Sequence, residues 1–207
     1  MGEKIQYVIC GAGMDSFAFR NLMHNIKIFE VDHPDTQKYK LERIKKMEWI
    51  IPQNLTFVPV DFSKDSLKEK LLESGFNPEL PTFTAILGVT YYLTLPVFEQ
   101  TLKIISELSC EGSKLIFDFP DERTFSEELE KTAPRVKELA KVTEKLGEPM
   151  LHGFSVDEVK GALERNSFEL ASHYTPEIIQ SLYFEGRTDG LKAYENVHFV
   201  KAEKLPQ

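Results

Sequence analysis

Glycine and acidic residues end three apolar runs in the first third of the chain. Gly11 and Gly13 follow the run YVIC, where Gly11 would allow a tight turn and Gly13 would let a ligand approach the backbone without an intervening Cβ. Asp32 ends the next run, about 20 residues after the first glycine, where an acid can accept hydrogen bonds from the ribose hydroxyls of an adenosine. Asp61 and Phe62 end the third run, where the carboxylate can accept from an adenine amino group beside the aromatic ring. Together these residues predict an adenosine pocket.

Structural roles are the alternative for each of these residues. A glycine turn after a strand is common without a ligand, and Asp32 and Asp61 could each cap a following helix. The third position of the dinucleotide-binding glycine pattern is Ser16, so the pyrophosphate-binding form of that pattern is incomplete. Glu30 competes with Asp32 because alternate residues of a strand share a side, but only the acid nearer the strand end can reach a ribose. We therefore assign the ribose contact to Asp32.

Short apolar runs alternate with helical patterns along the chain. The predicted strands cover residues 6–10, 27–31, 55–60, 82–89, 114–119, 168–174 and 196–202. Continuous apolar runs of this length are typical of strands that are covered on both faces. The sequence therefore predicts an α/β fold with a doubly wound, Rossmann-like sheet that is mainly parallel. The segment 175–192 is too irregular for a crossover helix, which favours an antiparallel final strand.

Capping residues and apolar spacing predict the helices. Pro34 suits a first helical position, and Leu41, Ile44, Met47 and Ile51 recur after it at helical spacing. The other helix signals, which combine apolar stripes with capping residues or terminal glycines, lie at 67–75, 94–112 and 155–158.

The composition is that of an ordinary globular protein and argues against several function classes. The 207 residues are enough for one sizeable domain, and we find no linker or domain boundary. The net charge of −8 argues against nucleic acid as the main partner, and no apolar run approaches the roughly 20 residues that span a bilayer. Cys10 and Cys110 make neither a disulfide framework nor a zinc site. With no secretory signal visible, we expect a cytoplasmic protein that holds no metal.

Five stretches carry a family resemblance: VICGAGMDSFAFR, FEVDHPDTQKYK, FVPVDF, GFNPELPTFTAILGVTYYLT and GFSVDEVKGALERNSFEL. They resemble the leucine carboxyl methyltransferase-like family of class I S-adenosylmethionine-dependent methyltransferases, which includes bacterial O-methyltransferases, and the resemblance spans residues 6 to about 170. It implies a seven-stranded sheet with an antiparallel final strand and S-adenosylmethionine as the cofactor. The glycine turn would lie against the methionine part of the cofactor, Asp32 would bind its ribose, and the third strand end would hold its adenine. The predicted cofactor site consists of Gly11, Ala12, Gly13, Asp32, His33, Asp61, Phe62, Leu87 and Gly88.

The sequence departs from the family pattern in two places. Leu87 stands where relatives commonly have Glu, a residue expected to contact the amino end of the cofactor. Relatives also carry an N-terminal helical region of tens of residues, whereas only five residues precede the first predicted strand here. We therefore expect a minimal form or a fragment, whose substrate lid is absent or built from other segments. The helical insertion near 121–152 is the candidate for that lid.

The sequence indicates the residues that would contact a methyl acceptor less clearly than those of the cofactor site. Tyr91 and Tyr92, just beyond the fourth strand, are the best candidates for contact with a methyl acceptor, although packing beneath the next helix would explain them equally well. Asp118 and His152 are weaker candidates. A carboxylate acceptor is already ionised and needs no general base, whereas a phenol or an alcohol would benefit from one. No Ser-His-Asp spacing is present, and no catalytic residue is assigned.

The sequence thus predicts an O-methyltransferase that acts on a small molecule or an exposed carboxylate. One alternative is a degenerate domain that binds S-adenosylmethionine or S-adenosylhomocysteine without turnover. Another is a nicotinamide-dependent oxidoreductase, which would require a third glycine in place of Ser16 and a parallel sixth strand. We expect no nucleic-acid or membrane partner, and a second subunit could cover the site in a homodimer.

Overall fold

Seven strands form one mixed sheet. The structure is a computed structural model, and it describes residues 4–206 except 22, 24, 63, 129–132, 146 and 148. The strands are β1 (Ile5–Cys10), β2 (Ile26–Asp32), β3 (Leu55–Pro59), β4 (Thr82–Ile86), β5 (Lys114–Pro120), β6 (Phe168–Tyr174) and β7 (Val197–Lys204). They lie in the order β3-β2-β1-β4-β5-β7-β6. Strands β1 to β5 pair in parallel, and β7 runs antiparallel to both of its neighbours, β5 and β6. The predicted fold class is confirmed.

Helices connect the strands and cover the sheet. Among the described residues they are α1 (Phe17–Arg20), α2 (Pro34–Lys46), α3 (Leu67–Glu73), α4 (Leu95–Glu107), α5 (Pro134–Lys145), α6 (Val156–Arg165) and α7 (Pro176–Ile179), with 3-10 turns at Thr90–Tyr92 and Glu122–Phe125 and a π-helical turn at Gln180–Phe184. The predicted capping box is confirmed at the start of α6, where the Ser155 and Glu158 side chains each accept from the other residue's backbone N–H. Within the described residues, no helix combines the length and the apolar character that crossing a membrane requires.

The sheet separates two hydrophobic cores because successive side chains of a strand point to opposite faces. Val8 and Cys10 of β1 belong to the larger core, which also contains buried side chains of α3, α4 and α6. Ile9 belongs to the smaller core, together with Ile28 of β2 and Ala18 of α1. Both faces of β1 are therefore covered, as its continuous apolar sequence predicts.

The strand order reverses direction at β1. This strand pairs in parallel with β2 on one side and with β4 on the other. In an open α/β sheet, the crevice beyond the carboxyl ends of strands at such a reversal is where ligands bind. The glycine turn after β1 and the segment after β4 therefore lie at the same edge of the sheet.

Three predicted boundaries are wrong. Helix α4 ends at Glu107 rather than at Gly112. Strand β4 ends at Ile86 rather than at residue 89. Helix α2 ends at Lys46, so Met47 and Ile51 lie outside it and are exposed, and the buried side chains of α2 are Gln37, Lys40 and Ile44. The predicted stripe overran the helix because Glu48 adopts a left-handed conformation with φ of 55°, which stops helical propagation.

A buried ion pair joins α2 to β2. Lys40 Nζ lies 2.5 Å from Glu30 Oε2, and the two residues are 4% and 1% exposed. Burial raises the pKa of Glu30, and the hydrogen bond and charge of Lys40 offset part of that rise. Glu30 thus has a structural partner, which leaves Asp32 as the acid free to face a ligand at the end of β2.

We predict that Lys40→Met destabilises the protein by about 3 kcal/mol at neutral pH, because it leaves a buried carboxylate without its cation. The pKa of Glu30 in the folded state then rises further above its unfolded value. As the pH falls, the folded variant therefore takes up a proton on Glu30 and becomes more stable relative to the unfolded state. Urea unfolding should therefore show that the variant loses less free energy of unfolding, relative to the unaltered chain at the same pH, at about pH 5 than at about pH 8. The double variant Glu30→Gln/Lys40→Met should recover most of the loss. An equal loss at both pH values would contradict a buried Glu30 charge.

Candidate functional site

The turn after β1 requires glycine at two positions, for different reasons. Gly11 and Gly13 both adopt left-handed conformations, with φ of 72° and 47°. A Cβ on Gly11 would lie only 2.4 Å from Val89 Cγ2, whereas a Cβ on Gly13 would meet no heavy atom within 4 Å. The backbone N–H groups of Gly11 and Ala12 both donate to Val31 O, at 2.9 and 3.1 Å. The turn is thus fixed to the end of β2, and Gly13 faces open space.

Asp32 connects the glycine turn to the start of α2. One carboxylate oxygen accepts from Gly13 N at 2.5 Å, and the other accepts from His33 N at 2.7 Å. A carboxylate has about four acceptor positions, so both oxygens keep capacity for a ligand hydroxyl. The alternative role of Asp32 as a helix cap is wrong. His33 is the N-cap of α2, and its Nδ1 accepts from Asp35 N at 3.3 Å.

The third strand end lies beside the second. Asp61 Oδ2 lies 3.8 Å from His33 Nε2 and accepts a hydrogen bond from Lys64 Nζ at 2.6 Å. The Phe62 residue is 56% exposed. Asp61 does not cap the following helix, because the side chain of Ser66 does so for α3. His33, Asp61 and the exposed ring of Phe62 therefore border the same edge as Asp32.

A cavity of about 580 Å³, here called the strand-end cleft, opens beyond the carboxyl ends of β1, β2 and β4. Its lining residues are Gly11, Asp32, Gly88, Val89, Tyr92, Gly147, Pro149 and Leu151. Leu151 N donates to Tyr91 O at 2.9 Å, which attaches Leu151 to the segment after β4. The predicted lid region 121–152 thus contributes one wall, although its residues 129–132, 146 and 148 lie outside the described residues.

A second, mainly apolar cavity of about 190 Å³, here called the apolar cavity, adjoins the first. Its lining residues are Gly88, Tyr91, Tyr92, Val136, Leu139, Thr143, Met150, Tyr194, Asn196 and Val197. Gly88 and Tyr92 line both cavities, so the two are neighbours across the segment after β4. The structure brings both predicted tyrosines to this cavity. Leu87 is 44% exposed and lies beside Gly88 in the chain.

Asp118 holds the segment that separates the two cavities. Its Oδ1 accepts from Gly88 N at 2.8 Å, and its Oδ2 accepts from the Tyr91 hydroxyl at 3.0 Å. The Thr90 hydroxyl donates to Asp118 O at 2.5 Å. Burial raises the pKa of Asp118, and these two carboxylate hydrogen bonds offset part of that rise. Asp118 and Tyr91 thus form a buried, hydrogen-bonded pair that fixes the wall between the cavities.

Arg135 attaches α5 to the segment that precedes β7. Its Nε donates to Glu195 Oε2 at 3.0 Å, its Nη2 donates to Ala193 O, and its guanidinium lies 4.6 Å from the centroid of the Tyr194 ring. Helix α5 carries Val136 into the wall of the apolar cavity. These contacts fix one wall of the apolar cavity.

Several residues that line the apolar cavity were not predicted from the sequence, and His152 was predicted to lie at the site but lines neither cavity. No sequence motif marks Asn196 or the α5 residues that line the apolar cavity. Their amide and apolar side chains come together only when the chain folds. His152 is exposed and packs edge-to-face on Phe154 instead of lining either cavity. His173 and His198 are stacked and hydrogen-bonded at 2.8 Å between β6 and β7, away from both cavities.

Comparison with known proteins identifies the family. The sequence model of the leucine carboxyl methyltransferase family matches residues 2–106. This chain belongs to that family. YktD of Bacillus subtilis, whose name places it among S-adenosyl-L-methionine-dependent methyltransferases, is 39% identical over 209 residues, which cover 99% of this chain and 66% of YktD. A Mycolicibacterium smegmatis protein with a name of the same kind is 28% identical over 140 residues, which cover 66% of this chain and 44% of that protein. The chain thus spans less than two thirds of the length of these relatives.

Solved structures with low sequence identity share the fold. An S-adenosylmethionine-dependent methyltransferase from Methanosarcina mazei superposes with a TM-score of 0.62 at 11% identity, over 100% of this chain and 95% of that one. The magnesium protoporphyrin IX methyltransferase of Synechocystis, solved with bound S-adenosylhomocysteine, gives a TM-score of 0.57 at 11% identity, over 98% of this chain and 74% of that one.

We predict that alanine is tolerated differently at the two glycines. Gly13→Ala should cost about 1 kcal/mol, the penalty of a left-handed backbone, because its Cβ meets no neighbour. Gly11→Ala should cost about 2 to 4 kcal/mol, because overpacking against Val89 adds to the same penalty. In a Val89→Ala background, the cost of Gly11→Ala should fall toward that of Gly13→Ala. Chemical unfolding measures all three, and an unchanged cost in that background would rule out the Val89 contact.

Proposed function

We propose that this chain binds S-adenosylmethionine in the strand-end cleft and transfers its methyl group to an oxygen of a small molecule in the apolar cavity. The observation that carries this proposal is the convergence of Gly11, Asp32 and Gly88, from three strand ends, on one cleft. The family and the names of the relatives support the reaction and the cofactor. The adjoining apolar cavity supports a small-molecule acceptor.

The residues of the cleft fit the cofactor. A volume of about 580 Å³ lies within the range of small-molecule sites, roughly 300–1,000 Å³. Asp32 keeps acceptor capacity on both carboxylate oxygens for the ribose hydroxyls. His33, Asp61 and Phe62 would border the adenine. The space that a Cβ on Gly13 would enter is open, so the methionine part could lie against the turn.

The remaining cofactor contacts come from the neighbouring backbone. Gly11 and Ala12 complete the turn, and Leu87 and Gly88 would lie near the amino end. Bound there, the cofactor would supply a methyl group on a sulfonium sulfur, which is a leaving group that needs no further activation. The task of the chain is then to align an acceptor oxygen with that methyl group and to exclude water.

Two features of the fold would help to align the acceptor with the methyl group and to exclude water. Gly88 and Tyr92 line both cavities, and the hydrogen bond from Gly88 N to Asp118 fixes the position of this shared wall. Residues of α5 line the apolar cavity, and Gly147, Pro149 and Leu151 line the strand-end cleft, which supports a role for the predicted lid region in excluding water.

The direction of β7 argues against the oxidoreductase alternative, whereas one residue favours the degenerate binding domain. The oxidoreductase alternative requires a parallel sixth strand, whereas the strand beside β5 is the antiparallel β7. A degenerate binding domain retains one favourable observation, which is the apolar and 44% exposed Leu87 at the position expected for Glu. Such a domain would bind the cofactor and methylate no acceptor.

We predict that Asp32→Ala weakens S-adenosylhomocysteine binding about tenfold or more, because the ribose hydroxyls lose a charged acceptor. Calorimetric titration with S-adenosylmethionine and S-adenosylhomocysteine, with NAD as the comparison ligand, measures the effect. Asp35→Ala is the matched control, because it removes the same charge from an exposed position at the start of α2. An affinity of Asp32→Ala within about twofold of the unaltered chain would refute the ribose assignment.

We also predict that Leu87→Glu tightens binding of S-adenosylmethionine by about three- to tenfold, because a carboxylate at this exposed position can pair with the cofactor's ammonium group. Leu87→Gln is the neutral control and should change the affinity less. The same calorimetric titration measures both variants. An unchanged or weaker affinity for Leu87→Glu would show that the amino end of the cofactor lies elsewhere.

A further inference from the structure

Asp118 is a buried carboxylate of β5 that accepts hydrogen bonds from the segment after β4. Its Oδ1 accepts from Gly88 N at 2.8 Å, and its Oδ2 accepts from the Tyr91 hydroxyl at 3.0 Å. Its backbone carbonyl accepts from the Thr90 hydroxyl at 2.5 Å. Thr90 and Tyr91 are buried as well, so water has little access to compete for these bonds. The segment from Gly88 to Tyr91 is therefore firmly attached to β5.

Gly88 is the exposed end of this attachment. It adopts a left-handed conformation with φ of 71°, and a Cβ at this position would meet no heavy atom of the described residues within 4 Å. Gly88 is exposed and lines the strand-end cleft. A ligand in the cleft would therefore meet the backbone at Gly88, and the N–H of that backbone is bonded to Asp118.

Asp118 also fixes the orientation of the peptide that precedes Gly88. The peptide between Leu87 and Gly88 is trans, so its C=O and N–H bonds point in opposite directions. Because the N–H is directed to Asp118, the Leu87 carbonyl oxygen is directed away from Asp118. Both residues of this peptide are exposed, and a carbonyl oxygen is an acceptor that suits an ammonium group.

The order of the strands indicates which part of the cofactor would reach Gly88. The sheet edge runs from β3 through β2 and β1 to β4, with Asp61 after β3, Asp32 at the end of β2 and Gly88 after β4. Two strand spacings, about 10 Å, separate β2 from β4. With the ribose at Asp32 and the adenine toward Asp61, the methionine part would extend the other way, over the glycine turn, where Val89 packs against Gly11. Only the methionine end would then reach Gly88.

We propose that Asp118 is a positioning residue for the cofactor. Through its hydrogen bond to Gly88 N, it holds the Leu87–Gly88 peptide against the methionine end of S-adenosylmethionine. The peptide is held before the ligand arrives, so binding does not have to order it. This inference rests on the proposed function, and it assigns a role to a residue that touches neither the cofactor nor the acceptor.

The hydrogen bonds of Asp118 distinguish two substitutions. In Asp118→Asn, the amide oxygen can still accept from Gly88 N, and the NH₂ group can donate to the Tyr91 hydroxyl oxygen. In Asp118→Ala, the side chain can accept from neither group, so the Leu87–Gly88 peptide is free to turn. The asparagine variant is therefore the conservative substitution, and the alanine variant removes the proposed role.

The test compares two ligands by calorimetric titration. S-adenosylhomocysteine carries the amino-acid end, whereas 5′-methylthioadenosine has the same adenosine and sulfur but lacks that end. We expect Asp118→Ala to weaken S-adenosylhomocysteine binding about tenfold and to leave 5′-methylthioadenosine binding within about twofold, while Asp118→Asn keeps both affinities within about threefold. Equal losses of affinity for the two ligands, or no loss for either, would overturn the proposal.

Gln6→Ala is the matched control for a general loss of stability. Gln6 is buried at the start of β1, at the opposite edge of the sheet, and its side chain both donates to Asn77 O and accepts from Asn77 N. This variant should unfold at a lower urea concentration and keep the affinity ratio of the two ligands. A ratio that changes in Gln6→Ala as much as in Asp118→Ala would show that it reports stability alone, which would overturn the proposal.

If Asp118→Ala does not fold, nuclear magnetic resonance of the unaltered chain still decides. S-adenosylhomocysteine should shift the Gly88 amide signal more than 5′-methylthioadenosine does, whereas the His33 amide, which is bonded to Asp32, should respond to both ligands. An equal response of Gly88 to the two ligands would overturn the proposal.

The failure of this inference is distinguishable from failure of the proposed function. If the unaltered chain binds both ligands and Asp118→Ala does not separate them, only the role of Asp118 fails. If the unaltered chain binds neither ligand, the proposed function fails and this inference fails with it.

Discussion

The parallel pairing of β1 with both β2 and β4 is the constraint on which the site depends. Because all three strands run the same way, their carboxyl ends meet at one edge, and the reversal of strand order leaves a crevice there. The left-handed turn at Gly11 and Gly13 then keeps the backbone close to β2, where Asp32 accepts the Gly13 N–H at 2.5 Å. The shape of the strand-end cleft thus follows from sheet topology, and its polarity follows from one carboxylate.

Three acids near strand ends differ in burial and in the groups that they contact. Glu30 is buried against Lys40, and Asp118 is buried against Gly88 and Tyr91, so each satisfies a local structural need. Asp32 is only partly buried, and backbone N–H groups occupy part of its acceptor capacity. The carboxylates of the first two are buried against protein partners and are poor sites for a ligand, whereas Asp32 faces the cleft.

The fold and part of the cleft could be predicted from the sequence, because buried parallel strands, the glycine turn and Asp32 are marked by local sequence patterns. Helix α2 was predicted too long because apolar spacing continued past the left-handed Glu48. The apolar cavity could not be predicted, because Tyr91, Asn196 and α5 meet only through contacts between residues far apart in the chain. The Glu30–Lys40 pair was missed for the same reason, since it shows only when α2 packs on β2.

The most direct test of this account is a nuclear magnetic resonance titration of the isotopically labelled chain with S-adenosylhomocysteine. We expect the largest amide shifts at Gly11, Gly13, His33 and Gly88, because these groups border the cleft or contact Asp32. Gly112, a left-handed glycine with open space around it at the start of β5, should not shift. Binding with shifts confined to other parts of the sheet, or no binding at all, would contradict the account.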